Sequence, residues 1–174
     1  MLDKISKEND PTAIRARMIK IVTDCRDEYD GDLGGELFVG KDIPEDQAKA
    51  AVSLFSASQL DVGNIDENEI VAIFLSNVKE QYKCFSILLF TIHGFYFDVG
   101  GKEGKPGFVR WDTLWAVRRR INRSNNVRKE IKLRFHGGEG ECSIYMPAVY
   151  VHSLNHFLLP VLNRLKLIIR KQIK

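Results

Sequence analysis

Apolar residues recur at two different periods along the chain, and the change between them divides it. Ile14, Met18, Val22, Cys25 and Tyr29 return every three or four residues, which predicts a helix over about 11–29 with one apolar face. Asp10 before Pro11 supplies an N-cap followed by proline at the first helical position. Asp30-Gly31 ends that helix, and a glycine-rich stretch leads to Ile43-Pro44, where a second helix starts with Ala48, Ala51, Val52 and Phe55 on its face. Residues 1–58 therefore read as an N-terminal helical hairpin.

Beyond residue 59 the pattern shortens to that of strands. Ile70–Leu75 and Phe85–Ile92 are short apolar runs, and His93-Gly94 forms a tight turn into Phe95–Val99. Phe108–Trp111 follows a glycine-rich loop. Ile131, Leu133 and Phe135 then alternate with Lys132 and Arg134, and Cys142, Ile144 and Met146 alternate with Ser143 and Tyr145. Residues 112–127 admit a short helix capped by Asp112 or an extended arginine-rich strand. A last helix from about 150 carries Val151, Leu154, Leu158, Val161, Leu162, Leu165 and Ile169 in one stripe, with Pro160 placed to kink or divide it. The expected class is α+β: the helical hairpin, then over 59–174 a strongly curved antiparallel sheet or partial barrel of six or seven strands with a long C-terminal helix.

Composition fits one globular unit: 174 residues, 44% hydrophobic and 28% charged. The net charge is only +3, but residues 1–103 carry −8 and residues 104–174 carry +11. Such polarity steers charged partners, or the two halves neutralise each other within the molecule. Three widely spaced cysteines (Cys25, Cys84 and Cys142) form no CxxC pair, and a reducing, cytoplasmic setting is the natural reading. Met1–Glu8 has no apolar core of the kind a signal peptide needs. Residues 142–163 lack formal charge, but His152, Ser153, Asn155 and His156 near their centre argue for a strand and a core helix, so no transmembrane segment is expected.

The short motifs that carry chemistry all fail on one residue or more. Gly35–Asp42 approaches a phosphate-binding loop but ends in Asp42 where Ser or Thr must hold magnesium. Asp30-Gly31-Asp32 starts like a calcium loop, yet Gly34 and Lys41 stand where carboxylates belong. His152 and His156 share an i, i+4 spacing, but Ser153 replaces the glutamate of zinc proteases and no third ligand is near. No nucleophile elbow or catalytic cysteine context occurs. No catalytic residue, metal or cofactor is therefore expected.

The arginine-rich segment is the strongest remaining signal. Residues 110–134 carry nine Lys and Arg against Asp112 and Glu130. Arg118, Arg119, Arg120, Arg123, Lys132 and Arg134 form a candidate basic patch, with Lys132 and Arg134 on one strand face and Tyr145 across the hairpin. The competing reading is a solvated face paired with the acidic half. Tyr96 and Trp115 are candidate aromatic anchors, or else core residues.

From residue 60 the order of elements resembles the bacterial PH-like (pleckstrin-homology-like) domains. The resemblance runs from Glu69-Ile70 through Leu88–Thr91, His93–Phe97 and Phe108–Leu114 to the strands at 131–135 and 142–146 and the final helix. It implies a curved antiparallel sheet closed against one C-terminal helix. It also implies a small interaction protein, such as an immunity protein neutralising a toxin. A non-enzymatic protein-binding module is thus the expectation. An adaptor for nucleic acid or an anionic phospholipid headgroup, acting through the basic half, is the alternative.

Overall fold

The computed structural model describes residues 10–57, 65–77, 85–99, 106–114, 116–122, 130–137, 140–147 and 154–172. Helix α1 (Pro11–Glu28) starts as the sequence predicts, with Asp10 accepting from the Thr12 amide at 3.4 Å and Pro11 in the first turn. Its buried residues are Met18, Val22 and Cys25. Strand β1 (Gly35–Val39) and helix α2 (Glu45–Ser56) follow. The next four strands are β2 (Ile70–Ser76), β3 (Phe85–Thr91), β4 (Gly94–Val99) and β5 (Gly107–Arg110). They complete a five-stranded antiparallel sheet in the order β1-β2-β3-β4-β5.

The two N-terminal helices are not a hairpin. Strand β1 stands between them and pairs with β2 from Gly35↔Ser76 to Val39↔Ala72. The helices also bury their faces in different clusters. Met18, Val22 and Cys25 of α1 pack with Ala72, Phe74, Leu88, Phe90, Phe95 and Phe97. Ala48, Ala51 and Phe55 of α2 pack with Ile73, Ile87, Leu89 and Tyr96. Successive strand residues point to opposite faces, so these two sets are the two sides of one sheet. The physical reason lies in β2 and β3, whose runs are apolar at nearly every position. A strand of that kind needs cover on both faces, and a helix on each side supplies it.

The phosphate-loop look-alike is accounted for by the same strand. Residues 35–39 form β1, and Gly40–Asp42 is a 3₁₀ turn whose Gly40 has φ 59 and sits against Ile19. In the loop before it, Asp32 Oδ1 accepts from the Gly34 amide at 2.8 Å, while Tyr29 donates its hydroxyl to the Asp32 carbonyl at 3.1 Å. Asp32 thereby shapes the turn that feeds β1.

The β3–β4 hairpin anchors the centre of the sheet. Trp111, fully buried just after β5, donates its indole N–H to the Thr91 carbonyl at 2.8 Å. Its backbone N–H donates to the His93 carbonyl at 3.0 Å, and its ring lies 5.2 Å from that of Phe95. Residues 111–113 form a turn, and the extended reading of the arginine run then holds: Ala116–Asn122 is strand β6. With β7 (Glu130–Gly137) and β8 (Gly140–Pro147) it forms a second antiparallel sheet, in the order β6-β7-β8. Eight strands are thus present among the described residues, and no pairing joins the two sheets into a closed barrel there.

The C-terminal helix changes pitch where proline was expected to divide it. A π-helical turn, Leu154–Leu158, runs into helix α3 (Leu159–Gln172), with Pro160 in the first turn of α3. Proline has no N–H to donate, and the wider turn before it relieves the lost bond. Phe157, Leu158, Val161, Leu162 and Leu165 enter the same cluster as α1. The uncharged window 142–163 is therefore shared between β8 and this helix. Among the described residues no helix is long and apolar enough to cross a membrane.

Candidate interaction face

The basic segment acquires a definite arrangement through strand pairing. Strands β6 and β7 pair without interruption from Ala116↔His136 to Asn122↔Glu130. This sets Arg118 directly opposite Arg134 and Arg120 directly opposite Lys132. On the far side of β7, Lys132 is opposite Tyr145 and Arg134 opposite Ser143. Residues two apart on a strand share a face, and so do directly paired residues. Arg118, Arg120, Lys132 and Arg134 therefore occupy one face of the three-stranded sheet, with Tyr145 and Ser143 beside them.

The opposite face carries Val117, Ile121, Ile131, Leu133 and Phe135 on β6 and β7, and Cys142, Ile144 and Met146 on β8. Arg119, paired with Leu133, falls in that apolar set. The pairing thus divides the predicted patch, since Arg119 does not share a face with its two neighbours. The expected grouping of Lys132, Arg134 and Tyr145 is the one the register produces.

Each cross-strand rung on the cationic face joins two positive charges. Opposed Cα atoms in such pairs stand about 4.5–5.5 Å apart, and successive rungs about 6.8 Å apart along the strand. A like-charge pair directly across a sheet destabilises it by roughly 0.2–1 kcal/mol. Both rungs lose that penalty when an anion settles over them. The block is bounded: Glu130 lies opposite Asn122 at one end, and Glu141 lies opposite His136 at the other.

Tyr96 is not a surface anchor: it is 4% exposed, its ring stacked on Phe108 with centroids 4.3 Å apart and packed against Phe55. Burial, with Glu69 adding to it, raises the pKa of its hydroxyl above the ordinary tyrosine value. Every position of Phe95–Phe97 is aromatic, so the sequence alone does not separate core from anchor at Tyr96. Trp115, Arg123 and His152 lie outside the described residues. His156 is exposed on the π-helical turn.

Elsewhere, charges pair locally. Arg164 of α3 reaches Glu28 of α1 through two hydrogen bonds of 2.8 and 3.2 Å, and its Nη1 also donates to Cys25 Sγ at 3.4 Å. Burial pushes the Cys25 thiol above its ordinary pKa, with the Arg164 guanidinium opposing. Arg110 grips Asp112 with bonds of 2.9 and 2.6 Å and holds its carboxyl below the usual range. His93 Nε2 lies 3.1 Å from Glu69 Oε1 at the β3–β4 turn.

What sequence reasoning missed is the pairing of cation with cation. The β7–β8 half was countable, because Gly137 pairs with Gly140 and every pair behind it follows from that register. The β6–β7 half follows a longer connection over 123–129, which sets no register by itself. Comparison with family models, curated proteins and solved structures returns no match for this chain.

Proposed function

We propose that this chain is a non-enzymatic binding module, and that it takes an acidic protein partner on the cationic face of β6–β8. The observation that carries the reading is the register: two stacked cation–cation rungs, Arg118/Arg134 and Arg120/Lys132, on a sheet whose other face is apolar apart from Arg119. A patch of this size, closed off by Glu130 and Glu141, suits a complementary patch on a folded protein. A long uniform polyanion would run onto those glutamates and meet the acidic half of the chain. Aromatic stacking platforms of the kind that hold single-stranded nucleic acid have only Tyr145 to offer among these face positions.

The order of a strand meander, a second three-stranded meander and a terminal helix is in keeping with the resemblance to PH-like domains. In its finer form the proposal is an immunity-type role, in which the cationic face blocks a toxin or effector by occupying its acidic surface. No catalytic residue, metal or cofactor enters this reading.

The test pairs two measurements. Fluorescence anisotropy with labelled single- and double-stranded DNA and RNA should show no binding tighter than about 10 μM at physiological salt. Cross-linking in the native cell, followed by reconstitution with the purified candidate, should yield a protein complex that Arg118→Glu/Arg134→Glu abolishes without lowering far-UV circular dichroism. Submicromolar nucleic-acid binding that weakens on Arg120→Glu would overturn the protein reading.

A further inference from the structure

We propose that the outer edge of β6 is a docking strand: an extended acidic segment of the partner pairs with it as a fourth strand, with carboxylates at alternate positions opposite Arg118 and Arg120. This rests on the protein-partner reading above and specifies its contact. In the order β6-β7-β8, strand β6 has one hydrogen-bonded neighbour and, among the described residues, no strand on its other side. Among the described residues, the seven residues Ala116–Asn122 thus have a strand edge without a paired strand, while helix α3 comes near β6 as well.

Natural edges are blunted by proline, by bulges or by charge. Strand β6 contains no proline, and its register against β7 has no break. Charge is a guard that its sequence carries, and that guard is selective. A second copy pairing antiparallel about Arg119 would set Arg118 against Arg120 twice, which is repulsive. A foreign strand with Asp or Glu at those positions meets the opposite situation. It brings an anion to positions beside Arg118 and Arg120, whose register partners on β7 are Arg134 and Lys132. The partner's intervening positions fall beside Val117, Arg119 and Ile121, so the favoured segment alternates acidic and apolar residues. A nucleic acid has no peptide backbone with which to continue the sheet.

Labelled peptides test this by fluorescence anisotropy against the whole chain. One alternates glutamate and valine, one holds the same residues in two blocks, and one is the alternating peptide N-methylated at every second residue; oligo(dT) is a fourth probe. The alternating peptide should bind about tenfold tighter than the block peptide, and either N-methylation or Arg118→Gln/Arg120→Gln should remove about that factor. Thermal melts confirm that the variant folds. Equal binding of the alternating and block peptides, or of the N-methylated peptide, overturns edge pairing. If the reconstituted partner still depends on the cationic face in that case, the binding-module reading survives while this one fails. Tighter binding of oligo(dT) than of any peptide overturns both.

Discussion

Truncating Leu162 to alanine measures how firmly α3 is seated on the rest of the core. Leu162 is 1% exposed, between Val161 and Leu165 at 0%, in the cluster that also holds Met18, Val22 and Cys25 of α1. Leucine to alanine removes roughly three methylene equivalents, about 2.4 kcal/mol at ~0.8 kcal/mol each. A cavity contribution adds to this, because the surroundings close only partly, and the total should lie at about 3–5 kcal/mol. Collapse is hindered here: α3 is held to α1 by the Arg164–Glu28 pair at 2.8 Å as well as by packing. Equilibrium urea denaturation, followed by tryptophan fluorescence and far-UV circular dichroism, reads the loss as a lower midpoint at unchanged slope. Leu167, 53% exposed on the same helix, is the control, and Leu167→Ala should change stability by less than about 0.5 kcal/mol. If Leu162→Ala falls within that same margin, α3 does not pack as described and the core assignment is wrong.

Three further outcomes follow from single contacts. A Cβ on Gly94 would stand 2.2 Å from the Val109 carbonyl, so Gly94→Ala should force β4 and β5 apart and lower stability by about 1–3 kcal/mol; an unchanged melting temperature would refute their pairing. Asp112 has a folded-state pKa below its ordinary 3.8 through the Arg110 hydrogen bond, so its contribution is present above 3.8 and is lost as pH falls through the lower folded value; Arg110→Ala should move the Asp112 NMR titration back up. Cys25 has the opposite sign: its folded pKa lies above 9.0 through burial, so the stabilisation is full below 9.0 and fades as pH rises through the folded value, and peptide mapping should find Cys25 resistant to iodoacetamide until urea is added.

Local signals in the sequence were sufficient wherever a single element decides its own form. The Asp10-Pro11 start of α1 and the change of pitch before Pro160 are each set by proline's fixed backbone, while the β3–β4 connection falls at Ile92-His93, one residue before the predicted His93-Gly94. Strand β1 escaped because Leu37-Phe38-Val39 is too short a run among glycines to show a period. Its pairing with β2 is a tertiary fact, and with it went the error of joining α1 and α2 as a hairpin. Tyr96 was ambiguous for a related reason: an aromatic in a run apolar at every position does not reveal whether its face is covered, and here α2 covers it. The cationic face was half visible. Lys132 and Arg134 alternate with apolar residues, whereas three consecutive arginines conceal their own alternation until the register of β6 assigns Arg119 to one side and its neighbours to the other.

The two sheets differ in the pattern of their faces. Strands β2, β3 and β4 are apolar on both faces, and helices cover both, so the five-stranded sheet is committed to the core. Strands β7 and β8 alternate strictly between apolar and polar residues, the pattern of an antiparallel sheet that packs one face and leaves the other to solvent. Four of the fifteen Lys and Arg of residues 104–174, Arg118, Arg120, Lys132 and Arg134, are set by the register on one face of this sheet, between Glu130 and Glu141. Pairing cation with cation there opposes the stability of that sheet, and negative charge brought over the rungs relieves the opposition; that is the physical ground for the proposal that β6–β8 takes an acidic partner.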